Sequence, residues 1–271
     1  MTAHTTVVGA AVVTGGAHGL GAEIARLLVA RGHRVIVADR DADGAQATAA
    51  AIGATAVTLD VVDLEACRAL VAATPDLAVW VNNAGILTTG PSWETDEATR
   101  RRLFDVNVHG VINGTSAALE AFRPVGRGAV INVVSLAGIS PAPHETIYGA
   151  TKHAALAYSV STQLDLIIRG ERGIRISALC PDGMWTPMLH TRARDPDAWP
   201  SWSGAMLSAP AVAKAAVALL DHPRMVRSLP RWRAVQLRLF AIAPGLVAPA
   251  LPLVAAAARV RQRRFADRHG L

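Results

Sequence analysis

Short apolar runs, many of them β-branched, recur along the chain and alternate with longer Ala/Leu-rich stretches of helical spacing. The runs are "AAVVT" (10–14), "RVIVAD" (34–39), "TAVTLD" (55–60), "LAVWVNNAG" (77–85), "GAVINVVS" (128–135) and "IRISALC" (174–180). Between them lie helical patterns such as "GAEIARLLVARG" (21–32), "FDVNVHGVINGTSAALEAF" (104–122) and "YGATKHAALAYSVSTQLDLIIRG" (148–170). Nearly all-apolar strands separated by helices predict a parallel sheet covered on both faces. Crossovers of this length predict an open, doubly wound α/β sheet with its ligand crevice beyond the carboxyl ends of the strands. At 271 residues with no internal repeat, the chain suits one domain.

After Cys180 the pattern changes. "PDGMWTPMLHTRARDPDAWPSWSGAMLSAP" (181–210) is rich in Pro and Trp and reads as an irregular excursion, with a substrate lid at about 184–209. Ser208 as a capping residue and Pro210 then open the helix "AVAKAAVALLDHP". Leu239 to Ala258 carry no charge and are flanked by Arg238 and Arg259. Such a length would suit a membrane span, but Pro244, Pro249 and Pro252 interrupt it. The domain is therefore read as residues 1–235, and residues 236–271 as an apolar, then basic extension serving as lid, subunit contact or membrane-surface contact.

The net charge of +6 narrows the partners less than it promises, because "RVRQRRFADRHGL" at the C-terminus supplies +4 of it. The near-neutral body has no aromatic–basic interleaving, so no nucleic-acid partner is expected. Cys67 and Cys180 are too few for a disulfide framework or a metal cluster, and no metal site is expected. The opening "MTAHTTVVGAAVVTGG" has no basic segment before its apolar run, which predicts a cytoplasmic protein; the basic tail reads by default as a solvated helix end, with a subunit contact or peripheral membrane association through a patch for anionic lipid as the alternatives.

Chemistry first suggests itself in "VVTGGAHGLGAEIA", where Gly15, Gly16, Gly19 and Gly21 fall between the first strand and the first helix. Glycines there let backbone approach a ligand closely, and the helix N-terminus offers free N–H groups to a pyrophosphate. Asp39, at the end of the second strand, can accept hydrogen bonds from ribose hydroxyls and would repel a 2′-phosphate. His18 is a poor phosphate clamp, while Arg40 softens the preference; NAD is expected over NADP.

The stretch "HETIYGATKHA" (144–154) holds one of only two tyrosines and one of only two lysines in a chain with 25 arginines. Tyr148 and Lys152, four apart, share a helix face, so the ammonium can sit near the phenol. A cation there favours phenolate and is expected to draw its pKa from about 10 toward neutrality, making it a usable general acid/base. A planar guanidinium would not serve as such a compact charge.

Together "TGGAHGLG" (14–21), Asp39, "LDV" (59–61), "NNAG" (82–85), "DVNVHG" (105–110), "VVSLAG" (133–138), Tyr148-x-x-x-Lys152 and "PDGMWTPM" (181–188) resemble the short-chain dehydrogenase/reductase family over about residues 8–220. The resemblance implies a Rossmann-type fold and an NAD-dependent oxidoreductase interconverting a secondary alcohol and a ketone. Tyr148 would be the acid/base, Lys152 its modulator and a ribose ligand, and Ser135 a donor to the substrate oxygen. Asn107 would hold a water in a proton relay. The dinucleotide would lie on Gly15, Ala17, His18, Gly19, Leu20 and Gly21, with Asp39 and Arg40 at the adenosine ribose. Asp60 and Val61 would meet adenine, and Asn83, Ala84 and Gly85 would form the cofactor floor. Tyr148, Lys152, Pro181, Gly183 and Thr186 would surround the nicotinamide end. The family's Pro-Gly is replaced by Pro181-Asp182-Gly183, and its C-terminal glycine-rich strand is not evident in "MVRSLPRWRAVQLRLF" (225–240). The lid residues Trp185, Trp199, Trp202, Met184, Met188 and Met206 suggest a hydrophobic substrate such as a steroid, terpenoid or aryl ketone, or simply pack the lid. The two long helices after Asp105 and Tyr148 resemble those that build homodimers and homotetramers. The competing reading is a non-catalytic dinucleotide-binding or regulatory protein of the same fold.

Overall fold

A computed structural model describes residues 8–270; the first residues of the N-terminal segment read above lie outside the described ones. Seven strands, β1 (Ala10–Thr14), β2 (Arg34–Asp39), β3 (Thr55–Thr58), β4 (Leu77–Asn82), β5 (Gly128–Val133), β6 (Ile174–Pro181) and β7 (Val226–Leu229), form one sheet. Every pairing is parallel and the order is β3-β2-β1-β4-β5-β6-β7. The helices are α1 (Gly19–Ala30), α2 (Ala42–Ile52), α3 (Leu64–Ala72), α4 (Glu97–Phe104), α5 (Gly110–Val125) and α6 (Thr146–Ile168). They continue as α7 (Pro187–His190), α8 (Ala209–Asp221), α9 (Arg231–Ile242), α10 (Pro244–Val247) and α11 (Leu251–Arg268).

Alternation along each strand divides the core into two halves. Val13, Val37 and Ile131 point to one face and pack with Ile24 and Leu28 of α1 and Val212 and Val217 of α8. Their neighbours Val12, Ile36 and Val130 point to the other and pack with Trp80, Phe122 of α5 and Leu166 of α6. Burying each such side chain stabilises the fold by about 1.5–3 kcal/mol. Polar side chains inside the sheet are paired: Asn82 donates to Asn132 Oδ1 (2.8 Å) and Thr115 Oγ1 (3.0 Å), and Asn132 donates to Ser159 Oγ (2.8 Å). This chain of amides ties β4 and β5 to α5 and α6.

Three expectations are corrected. A seventh strand exists, β7, within the segment where none was evident; its "VRSL" is short, half polar and at the sheet edge, which leaves no alternation to read. Ser208 does precede α8, but its side chain makes no capping hydrogen bond. The helix pattern at 104–122 is also divided, because Asp105–His109 form a π turn between α4 and α5.

The order reverses between β1 and β4. The loops leaving their carboxyl ends diverge there and open a crevice.

Candidate active site

The turn after β1 enters α1 through Gly15 (φ +63°) and Gly19 (φ +56°), left-handed conformations that glycine adopts without strain. A Cβ on Gly15 would sit 2.7 Å from Ala84 Cα, and one on Gly21 would collide with the Gly15 carbonyl oxygen. Asn83 fixes the turn by donating to Gly15 O (2.9 Å) and Thr14 O (3.2 Å). Thr14 Oγ1, which the motifs did not single out, accepts from Asn83 N (3.1 Å) and Ala84 N (3.2 Å) and clamps the β4 loop to β1. Helices α2, α3 and α4 start on Asp41, Asp63 and Asp96, whose carboxylates accept the N–H three residues on. By contrast, α1 starts on His18, which makes no side-chain cap, and its first turn holds no acid. Its N–H groups and positive dipole end therefore remain available to an anion. Asp39 accepts from Ala17 N (3.1 Å) and Asp41 N (3.1 Å), so it shapes this turn besides facing the cavity.

Ser135 ends the β5 segment, and Tyr148 and Lys152 stand one turn apart on α6. Ser135 and Tyr148 face the same cavity, where the Ser135 hydroxyl favours the phenolate. Lys152 Nζ lies 5.6 Å from the Tyr148 ring centroid and donates to Val133 O (3.2 Å). Asn107, fully buried in the π turn, accepts from Ile86 N (2.9 Å) and donates to Ile86 O (2.9 Å) and Thr151 Oγ1 (3.1 Å). Its side chain thereby ties the β4 loop to α6 directly beneath Lys152.

Proximity is as expected, but the electrostatic balance differs. Burial pushes the Tyr148 phenol up, and the nearby Glu145 carboxylate adds to this, outweighing the Ser135 hydroxyl. Burial also brings the Lys152 ammonium down to about 8. Desolvation thus favours the uncharged form of both groups, and the expected shift of the phenol toward neutrality is not seen here.

The departure at Asp182 has a structural role. Its carboxylate accepts from Gly183 N (3.0 Å) and Ala205 N (2.9 Å) and lies 3.8 Å from Arg233 Nε of α9. It joins the end of β6, the lid and the C-terminal helices. Glu145, just before α6, is 5 % exposed and accepts a hydrogen bond from lid residue Ser201 (2.6 Å). Burial pushes its carboxyl up to about 7, with the neighbouring Asp182 adding to the effect and Ser201 and Arg192 opposing it.

A carboxyl that keeps its proton longer in the folded chain weakens the fold as pH rises from its unfolded value, about 4.5, through about 7. Glu145→Gln keeps the acceptor and removes the titration. The variant should gain little over the parent at about pH 5 and about 2 kcal/mol at about pH 8, measured by thermal melts at both. Equal gains at the two values would mean that Glu145 ionises normally.

The lid tryptophans mostly pack. Trp202 (2 % exposed) and Trp185 meet Phe265 of α11 at ring-centroid distances of 4.9 and 4.8 Å, while Trp199 faces the cavity. Met184 and Met188 also face the cavity; Met206 packs behind it.

One cavity of about 850 Å³ connects these parts. It brings together Gly15, His18, Gly19, Leu20 and Asp39 at one end. Asn83, Ala84 and Gly85 form its middle, and Ser135, Tyr148, Lys152, Pro181, Gly183 and Thr186 its far end. Ala17, Gly21, Arg40, Asp60, Val61 and Asn107 do not line it. Gly21 sits beneath the turn, Asp60 is paired with Arg102 (3.2 Å), and Val61 is buried in the core. Glu145, Arg233, Leu237 and Phe240 line the cavity without having been foreseen; none carries a spacing signal.

The model of the short chain dehydrogenase family matches residues 9–197. A 2-keto-3-deoxy-L-fuconate dehydrogenase of Xanthomonas campestris pv. campestris is 36 % identical over 185 residues, covering 68 % of this chain and 61 % of that protein, less than two thirds of its length. A 3-alpha-(or 20-beta)-hydroxysteroid dehydrogenase of Mycobacterium tuberculosis is 36 % identical over 184 residues, 66 % of this chain and 70 % of that one. The crystal structure of levodione reductase superposes with a TM-score of 0.74 at 27 % identity, over 83 % of this chain and 97 % of that one. That of a 3-ketoacyl-(acyl-carrier-protein) reductase from Brucella melitensis, complexed with NADH, gives 0.73 at 27 % identity, over 83 % and 98 %. Glycine turn, switch-point crevice and Tyr/Lys pair thus coincide with a match over more than half the sequence, and the chain belongs to the short chain dehydrogenase family, oxidoreductases acting on alcohols and ketones.

Proposed function

We propose that this protein is an NAD-dependent oxidoreductase that interconverts a hydrophobic secondary alcohol and its ketone, with Tyr148 as general acid/base. The observation that carries the reading is the single cavity running from the glycine turn and Asp39 to Ser135, Tyr148 and Lys152. The residues fit a dinucleotide: side chains are excluded from Gly15 and Gly21, and the α1 N-terminus is not capped by its own chain. A nicotinamide cofactor, when bound, supplies or accepts the hydride. Beyond Tyr148 the wall is mostly apolar, with Met184, Met188, Leu237 and Phe240 beside Glu145 and Arg233, which supports a hydrophobic substrate. Named activities of the relatives, on hydroxysteroids and levodione, support the same class.

Ser135 orients the substrate oxygen, and Tyr148 Oη exchanges the proton with it. Because burial favours the protonated phenol, the group is set to donate to the oxygen of a ketone as that oxygen gains charge. Lys152 Nζ, held by Val133 O, stands ready to stabilise the phenolate that results.

Asp39 supports the NAD preference, since its charge opposes a 2′-phosphate. kcat/KM should be about ten-fold higher with NADH than with NADPH. Asp39→Asn keeps an acceptor for Ala17 N while removing the charge, and should shift the ratio about ten-fold toward NADPH. A parent enzyme that prefers NADPH would overturn this assignment. A panel of hydrophobic ketones with each cofactor, followed by absorbance of the reduced nicotinamide, tests the activity itself.

A further inference from the structure

We infer that the arm formed by α9, α10 and α11 docks on an anionic lipid bilayer, its apolar apex entering the interface and its arginines resting on the headgroups. Among the described residues no single helix is long and apolar enough to cross a membrane; α9 and the segment from α10 onward instead bend by 105°. At the bend the apolar side chains face outward. Leu239, Ile242, Leu246 and Leu253 are 64, 80, 85 and 75 % exposed. Leaving four large aliphatic residues in water at an apex is unfavourable unless something covers them.

Charge identifies the cover. From His222 to Ala266 the chain has nine arginines and no acidic residue, and Leu239 to Ala258 between them carry no charge at all. An apolar apex with cationic shoulders is the pattern of a helix lying in a membrane interface. A second copy of the chain fits less well, because a two-fold contact would set this arm against itself, arginines facing arginines. Self-association has another apolar surface open to it: Leu164, Ile167 and Ile168 of α6 are exposed.

The apex is also the rim of the cavity, since Ile242, Leu246 and Val254 line it. Docked this way, the cavity opens toward the acyl chains, and a hydrophobic ketone can enter without crossing water; this clause alone rests on the oxidoreductase reading.

Flotation of the full chain tests the docking without using turnover. The chain should float with vesicles of phosphatidylcholine and phosphatidylglycerol in equal parts, less with phosphatidylcholine alone, and less at high salt. Leu246→Asp with Leu253→Asp should lower vesicle affinity by about a hundred-fold or more. Arg263→Glu with Arg264→Glu, both exposed, should lower it by at least about twenty-fold, an independent check if the first pair perturbs folding as seen by circular dichroism. Failure to float with the mixed vesicles, or parental affinity in both variants, overturns the inference. So does a vesicle-free mass, by light scattering, that falls when Leu246 and Leu253 are changed, since the arm would then be a subunit contact. Turnover retained alongside failed flotation would remove the docking and leave the oxidoreductase reading in place.

Discussion

Tyr148→Phe should lower kcat for reduction of a ketone by about 10²- to 10⁴-fold while NADH affinity, read by fluorescence titration, should stay within about two-fold. The ring keeps its place in α6, and only the hydroxyl oxygen is lost. Because burial already favours the protonated phenol, the loss is that of a proton donor rather than of a resident anion. Ser135→Ala should act in the same direction but less strongly, as the donor remains and only its alignment suffers. Retention of parental turnover by the Phe variant would be incompatible with the proposed chemistry.

Asp182→Ala should cost about 3–5 kcal/mol of stability and lower Tm by roughly 10 °C. Arg233 and Asp182 are 12 and 9 % exposed, so truncating the acid strands a buried guanidinium. It also deprives Gly183 N and Ala205 N of their acceptor. Asp182→Asn, which retains one acceptor oxygen, should fall between the two. Calorimetry decides: a change in Tm below about 2 °C for the Ala variant would show that the carboxylate does not latch the lid. Since Arg233 also donates to Ser203 Oγ (2.8 Å), the lid should loosen with it, and KM for a bulky ketone should rise.

How far the sequence carried the reading depended on the kind of signal. Six strands were legible because each is apolar on both faces, and the cavity's position followed from their order and crossovers. Tyr148, Lys152 and Ser135 were legible because their spacing is tied to local structure, a helix face and a strand end. The π turn at Asp105–His109 was not, since its flanking Phe104 and Gly110 keep right-handed helical φ and ψ and leave the apolar pattern intact. Glu145 and Arg233 were invisible for another reason: each acquires its role only when a segment more than 50 residues away in sequence, or across the lid, closes over it. The tryptophans left two meanings open, and most of them proved to join the lid to α11. The direction of the Tyr148 pKa is not legible from spacing, because the desolvation that a deep cavity imposes has no signature in the sequence.

The aromatic joint between Trp185, Trp202 and Phe265 makes the last helix part of the cavity's housing, although the family match ends at residue 197. Labour is therefore divided along the polypeptide: the matched portion holds the glycine turn and the Tyr148/Lys152 pair, and the segment beyond the match helps to close the cavity. Transplanting that tail onto a related enzyme would carry selectivity with it and leave the redox partner unchanged.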